Sequence, residues 1–136
     1  MLADDMLGAA REDARLPLAS GYTDAFAAIA ADPNQLLVVA EQDGEVVGTL
    51  QLSFIPGLSY QGAWRGQIEG VRVAAGRRGQ GLGERMIRWA IAECRARGCR
   101  LVQLSTNIAR TDAHRFYERL GFSRSHYGYK LDLGAD

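Results

Sequence analysis

Gln67-Ile-Glu-Gly-Val-Arg-Val-Ala-Ala-Gly-Arg-Arg-Gly-Gln-Gly-Leu-Gly-Glu-Arg-Met86 is the stretch from which the rest of the chain can be read. It predicts a strand from Gln67 to Val73, a short glycine-rich turn carrying Arg77 and Arg78, and a helix that runs to about Arg97. A turn that opens directly into a helix leaves several backbone N–H groups without intrahelical partners and adds the positive end of the helix dipole. Such a corner suits an anion. Gly79, Gly81 and Gly83 carry no Cβ, so a diphosphate can approach the main chain there. Two other glycine motifs fit worse. A P-loop would end in Gly-Lys-Ser/Thr, whereas this turn ends Gly83-Glu84, and the spacing of Gly79, Gly81 and Gly83 does not match the Gly-x-Gly-x-x-Gly of dinucleotide sites.

On both sides of this stretch, strands and helices alternate. Asp4, Asp5 and Arg11 are ordered to suit a helix from Met1 to about Arg11, and Leu16-Pro17-Leu18 breaks it. A second helix spans roughly Tyr22 to Ala31, with Phe26, Ile29 and Ala30 on one side, and Asp32-Pro33-Asn34 closes it. Gln35 to Ala40 and Val46 to Phe54 read as antiparallel neighbours, because Asp43-Gly44 between them is the strongest hairpin signal in the chain. The apolar loop from Ile55 to Trp64 is either a wall of an acceptor pocket or cover for a sheet edge.

In Gln67 to Val73, strict alternation would put Gln67, Glu69, Val71 and Val73 on one face and Ile68, Gly70 and Arg72 on the other. Leu82, Met86, Ile87, Ala90, Ile91 and Cys94 form the apolar stripe of the long helix, with Glu84–Arg88 and Glu93–Arg97 as i,i+4 pairs outside and Gly98 as its stop. Arg100 to Thr106 is a further strand. A helix capped by Thr111 follows, with Ala113, Phe116, Tyr117 and Leu120 inward and Gly121 at its end. Phe122 to Ser125 and Tyr127 to Leu133 read as two short final strands. With no repeats or linkers, residues 1–136 are expected to form one domain, with a mixed α/β sheet and helices on both faces.

Composition limits the function classes. The 136 residues are 47% hydrophobic and 24% charged with zero formal net charge, which gives no general grip on nucleic acid or an anionic membrane. No apolar run is long enough to span a bilayer and no leader pattern opens the chain, so a cytoplasmic location is expected. The basic residues are almost all arginine, as in a GC-rich bacterial genome. Cys94 and Cys99 match neither a metal knuckle nor Cys-x-x-Cys, and no metal site is expected.

Arg78-Gly79-Gln80-Gly81-Leu82-Gly83 and, some thirty residues on, Phe116-Tyr-Glu-Arg-Leu-Gly-Phe122 resemble the two signatures of the GNAT superfamily of N-acetyltransferases, and the resemblance extends from about Met1 to Leu133. It implies a GNAT-like, mostly antiparallel central sheet whose central strands splay into a slot for acyl-coenzyme A. It also implies transfer of an acetyl group from acetyl-CoA to a small-molecule amine in a ternary complex. Two alternatives are an acyl-CoA-binding regulatory module with little turnover and an acetyltransferase of proteins or peptides. Family members usually open with an edge strand before the first helix, and this sequence begins inside what reads as that helix; either the strand is missing from this sequence, or the edge is left to a partner chain such as a second copy.

The resemblance also implies the site. Arg77, Arg78, Gly79, Gln80, Gly81, Leu82 and Gly83 would hold the pyrophosphate, and Val71 and Val73 would offer main-chain groups to the thioester and pantetheine if a bulge opens the ladder there. Glu69, expected to be partly desolvated, is the candidate base, directly or through water; the plainer reading is a surface glutamate or one paired with Arg65 or Arg72. In other members this carboxylate stands at the position of Gln67. Tyr117 matches the tyrosine that protonates the departing thiolate, although packing alone would also explain an aromatic there. Asn107 corresponds to a residue that binds pantetheine, or is a turn residue before the helix. His114 and His126 are left out of the mechanism.

Overall fold

Asp43 and Gly44 both adopt left-handed conformations (φ 53° and 79°), the geometry a two-residue hairpin turn requires, and they join the first two strands of the sheet. In the computed structural model, which describes residues 1–134, β1 (Gln35–Gln42) and β2 (Glu45–Ile55) pair antiparallel. Beside β2 runs β3 (Arg65–Val73), also antiparallel, and β4 (Leu101–Leu104) pairs parallel to β3, giving the order β1-β2-β3-β4. Helix α1 (Ser20–Ala31) lies against β1, and α3 (Leu82–Ala96) lies against β2, β3 and β4. The chain divides into two compact units, Met1–Leu104 and the segment from Ser105 onward.

In the first unit the core is a single apolar interface between sheet and helix. Val47, Leu50, Leu52, Phe54 and Ile68 from the strands meet Met86, Ile87, Ala90 and Cys94 from α3, all buried. Met86, Ile87, Ala90 and Cys94 belong to the apolar stripe expected from the sequence. The sheet approaches α3 closely at Gly66, where a Cβ would lie 2.3 Å from Cys94 Sγ. Both expected pairs on the outer face of α3 form, Arg88 with Glu84 at 2.8 Å and Arg97 with Glu93 at 3.4 Å. The Arg97 guanidinium also covers the Phe54 ring at 4.2 Å.

Helix α3 ends as expected at Gly98: the Gly98 N–H bonds to the Arg95 carbonyl and the Cys99 N–H to the Cys94 carbonyl, a Schellman motif that brings the two cysteines together. Both thiols are free, and burial pushes Cys94 up to about 11.

In the second unit, α4 (Thr111–Arg119) ends in the same motif, with Gly121 N–H to the Glu118 carbonyl and Phe122 N–H to the Tyr117 carbonyl. The motif folds Phe122 back so that its ring meets Tyr117 edge-on at 5.8 Å, and Phe116 meets Tyr117 at 5.1 Å. Local helix-ending chemistry therefore accounts for Phe-Tyr-Glu-x-Leu-Gly-Phe as a unit.

Several expectations are corrected. Met1 to Arg11 forms turns rather than a helix, because the Asp5 carboxylate bonds the Gly8 N–H and competes with helical pairing. Phe26 stays 61% exposed, so α1 buries less than its stripe suggested. The loop after β2 contains α2 (Ser59–Gly62), a single turn with Tyr60 and Gln61 left-handed. Arg110, not Thr111, is the N-cap of α4, and no side chain caps it. Phe122–Ser125 and Tyr127–Leu133 are not strands. Their alternation is real, but Tyr127, Tyr129, Leu131 and Leu133 are each at least 85% exposed, and a strand exists only where a ladder partner is present.

Candidate active site

Strand β3 carries a β-bulge at the centre of the site. Thr49 pairs with Arg72 and Gln51 with Glu69, so the single residue Leu50 faces both Gly70 and Val71. Gly70 supplies the left-handed conformation (φ 61°) that the first residue of such a bulge needs. The condition placed on Val71 is thus met, since it sits at an irregularity in the ladder next to Glu69.

The bulge also overturns the expected faces. One extra residue shifts the alternation by one, so Val73, opposite Gly48, joins Ile68 on the α3 side, while Arg72, opposite Thr49, joins Gln67 and Glu69 on the other side. On that side Gln35, Ser53, Gln67 and Gln103 lie in register across all four strands. Gln35 Oε1 accepts from Ser53 Oγ at 2.8 Å and from Gln51 Nε2 at 3.0 Å, and Gln67 Oε1 accepts from Gln103 Nε2 at 2.7 Å. Gln67 is therefore part of a polar lane. The β3–β4 ladder stops at Ile68–Leu104, one residue before Glu69, so Glu69 to Val73 lie beyond the parallel pairing, as a splayed sheet requires.

Glu69 itself is exposed, not partly desolvated: bulging strand and absent β4 pairing leave it open to solvent. Neither expected arginine partner engages it. Arg72 instead lies against Asp5, its Nε 3.0 Å from Oδ2, with both side chains mostly buried. The same guanidinium donates from Nη1 to the Val71 carbonyl at 2.8 Å. In the sequence Asp5 has only the role of a first-turn charge in an N-terminal helix, since nothing local to residue 5 points at residue 72. An isolated glycine within a strand pattern, Gly70, was the available signal for the bulge.

After Val73 the chain makes a 3-10 turn, η1 (Ala75–Arg77), and then the glycine turn into α3. Gly79 and Gly81 are left-handed (φ 77° and 79°), and a Cβ on either would point into open space. Gly81 is the N-cap of α3 and offers no side-chain cap, so the first N–H groups of the helix are not taken by a capping side chain. That arrangement fits a diphosphate: an open backbone cradle at a helix N-terminus. Arg77 bonds Gln42 at 3.1 Å and lies 3.5 Å from Glu45. Arg78 donates to the carbonyls of Val73 and Asp4, both at 3.2 Å. Gln80 reaches back toward the Gly76 carbonyl, and Leu82 and Gly83 form the first turn of the helix.

The second unit holds the remaining candidates. Tyr117 lies on α4 within the aromatic cluster described above. Asn107 makes the turn before the helix: its Oδ1 accepts from Ala109 N–H at 2.9 Å, and its carbonyl from Arg110 N–H at 3.0 Å. His114 Nε2 is 3.0 Å from that carbonyl, and His126 Nδ1 is 2.7 Å from Ser125 Oγ, local contacts in both cases. Among the described residues no group of three His, Cys, Asp or Glu could hold a metal ion, and no helix is long and apolar enough to cross a membrane. A shallow hollow of about 290 Å³ lies beside Glu12, Ala19, Gly21 and Tyr22, where the Tyr22 hydroxyl donates to Glu12 at 2.7 Å.

Comparison with known proteins agrees with this geometry. Residues 3–122 match the model of the acetyltransferase (GNAT) family. The chain is 42% identical over 112 residues to an aminoalkylphosphonate N-acetyltransferase of Salmonella typhimurium, covering 82% of this chain and 72% of that protein. Among solved structures, a transcriptional regulator from Bacillus halodurans C-125 is 50% identical with a TM-score of 0.95, covering 98% of this chain and 89% of the other. An acetyltransferase of Trypanosoma brucei is 30% identical with a TM-score of 0.73, covering 86% and 82%. With a bulged strand leading into an open glycine cradle, and a family match over most of its length, this chain belongs to the GNAT acetyltransferase family and is an N-acetyltransferase.

Proposed function

We propose that the protein transfers an acetyl group from acetyl-CoA to the primary amine of a small molecule, by direct attack in a ternary complex. The observation that carries this reading is the bulge at Gly70–Val71, set between Glu69 and the glycine cradle. When bound, acetyl-CoA supplies the acetyl thioester. The N–H groups from Gly79 to Gly83, with Gln80 and Leu82 in the same turn, receive the pyrophosphate, and Arg77 and Arg78 add charge by exchanging their present protein partners. The Val71 N–H stabilises negative charge on the carbonyl oxygen, and Val73 continues the main-chain contact along the pantetheine arm. Asn107 hydrogen-bonds that arm. Glu69 takes the proton of the amine, directly or through water, and its freedom from Arg65 and Arg72 supports this role. Tyr117 returns a proton to the departing sulfur.

The Salmonella relative supports a small acceptor of the aminoalkylphosphonate type over a protein or peptide. We place the protein in the bacterial cytoplasm as a single working domain. A second copy is the partner we expect, on the open edge of β1, where Leu37 and Val39 are exposed. The Bacillus halodurans regulator supports a second reading, in which the same acyl-CoA site serves regulation with little turnover.

Thiol release from acetyl-CoA across a set of amines and peptides separates the two readings. Acetyl-CoA raises the melting temperature in either case, and Gly81→Glu abolishes that shift because a carboxylate enters the phosphate cradle. A full shift in the variant counts against the site.

A further inference from the structure

We infer that Arg72 selects the acceptor, by binding an anionic group that the amine carries, and that Asp5 occupies this subsite in the unliganded protein. The inference rests on the transferase reading and names the substrate class for it. Three observations converge on it.

First, the bulge puts Arg72 on the sheet face that presents Glu69. Their partners on β2, Thr49 and Gln51, are two residues apart. Glu69 and Arg72 are thus separated by roughly 7 Å along the strand, the scale of a short molecule with an amine at one end and an acid at the other. Without the bulge the guanidinium would point into the α3 interface. Arg65, by contrast, is four residues before Glu69, or about 13 Å along the strand.

Second, the guanidinium already holds an oxyanion. Asp5 lies on the N-terminal turn, which reaches β3 at other points too: Arg78 donates to the Asp4 carbonyl at 3.2 Å, and Leu2 is 3.9 Å from where a Gly70 Cβ would be. The carboxylate stands 3.0 Å from Nε as an ion pair. A phosphonate, with three oxygens and more charge, can engage the planar fork of an arginine in two parallel bonds and so displace it.

Third, the rest of this face is lined by groups that both donate and accept, Gln51, Gln67 and Thr49. A small polar molecule suits such a floor better than an apolar one.

The experiment compares 2-aminoethylphosphonate with n-propylamine as acceptors, by thiol release from acetyl-CoA, in the full chain. Arg72→Gln is expected to lower the ratio of kcat/KM for the phosphonate over propylamine by about 10- to 100-fold, the loss of a charge-assisted hydrogen-bond pair. Asp5→Asn is expected to raise that ratio a few-fold, by removing the internal competitor. Because Arg72→Gln leaves Asp5 mostly buried without its cation, the double variant Asp5→Asn/Arg72→Gln is the folding-neutral control and should show the same lowered ratio. A ratio within twofold of wild type in both Arg72 variants overturns the proposal. Binding of 2-aminoethylphosphonate in the presence of coenzyme A, followed by calorimetry, separates the two levels. Wild-type binding without thiol release counts against the transferase reading alone, and no binding by the wild type overturns the anion subsite.

Discussion

Gly66→Ala tests how the site is held in place. The new methyl carbon would lie 2.3 Å from Cys94 Sγ and 3.3 Å from Cys94 Cβ, against a normal contact of about 3.5–4.0 Å. Cys94 is fully buried on α3, with Leu52, Ile68 and Ile87 also buried in that core, so the sulfur has no open direction to move into. Either α3 lifts from β3 by more than about 1 Å or the strand bends, and overpacking of this kind costs about 1–3 kcal/mol. For a chain of this length that corresponds to a fall in melting temperature of roughly 3–10 °C. The assay is urea unfolding of four proteins: wild type, Gly66→Ala, Cys94→Ala and the double variant. Cys94→Ala removes the sulfur the new methyl would strike, so the double variant should regain about 1–2 kcal/mol relative to the sum of the single changes. Additive losses, or a neutral Gly66→Ala, would refute the close approach of sheet and helix on which the placement of the glycine cradle depends.

Further outcomes follow from the same geometry. Leu52→Ala, at a position of zero exposure between β2 and α3, should destabilise the chain by about 2–5 kcal/mol in urea unfolding. Tyr117→Phe keeps both ring contacts, so it should preserve coenzyme A affinity while lowering kcat; equal turnover would reduce Tyr117 to packing. Cys94, held protonated by burial up to about pH 11, should react with a thiol reagent at pH 8 only as fast as the protein unfolds. The sign of its linkage is also fixed: the unfolded thiol loses its proton first, so this group withdraws stability as pH rises from the ordinary thiol range toward 11.

The order of elements and the core were legible because they depend on local signals. Asp43-Gly44 specified a hairpin, the stripe from Leu82 to Cys94 specified α3, and Gly98 and Gly121 specified the helix ends. The cradle was legible for the same reason, since turn, helix start and left-handed glycines are close in sequence. What failed was non-local. The parity of Arg72 and Val73 depends on how β3 pairs with Leu50, and alternation counted along one strand contains no term for its neighbour. Asp5 looked like a favourable first-turn charge, and its partner lies 67 positions away. The tail from Tyr127 to Leu133 has the alternation of a strand, but alternation records only an ability to pair.

Strand β3 reads in two phases, one up to Glu69 and the opposite one from Arg72. Aligning this chain with a cousin that has one residue fewer at Gly70 would exchange the groups on the outer face of β3 for those facing α3. A single codon gained or lost at that point exchanges the faces of Arg72 and Val73 while leaving the identity of every neighbouring residue unchanged.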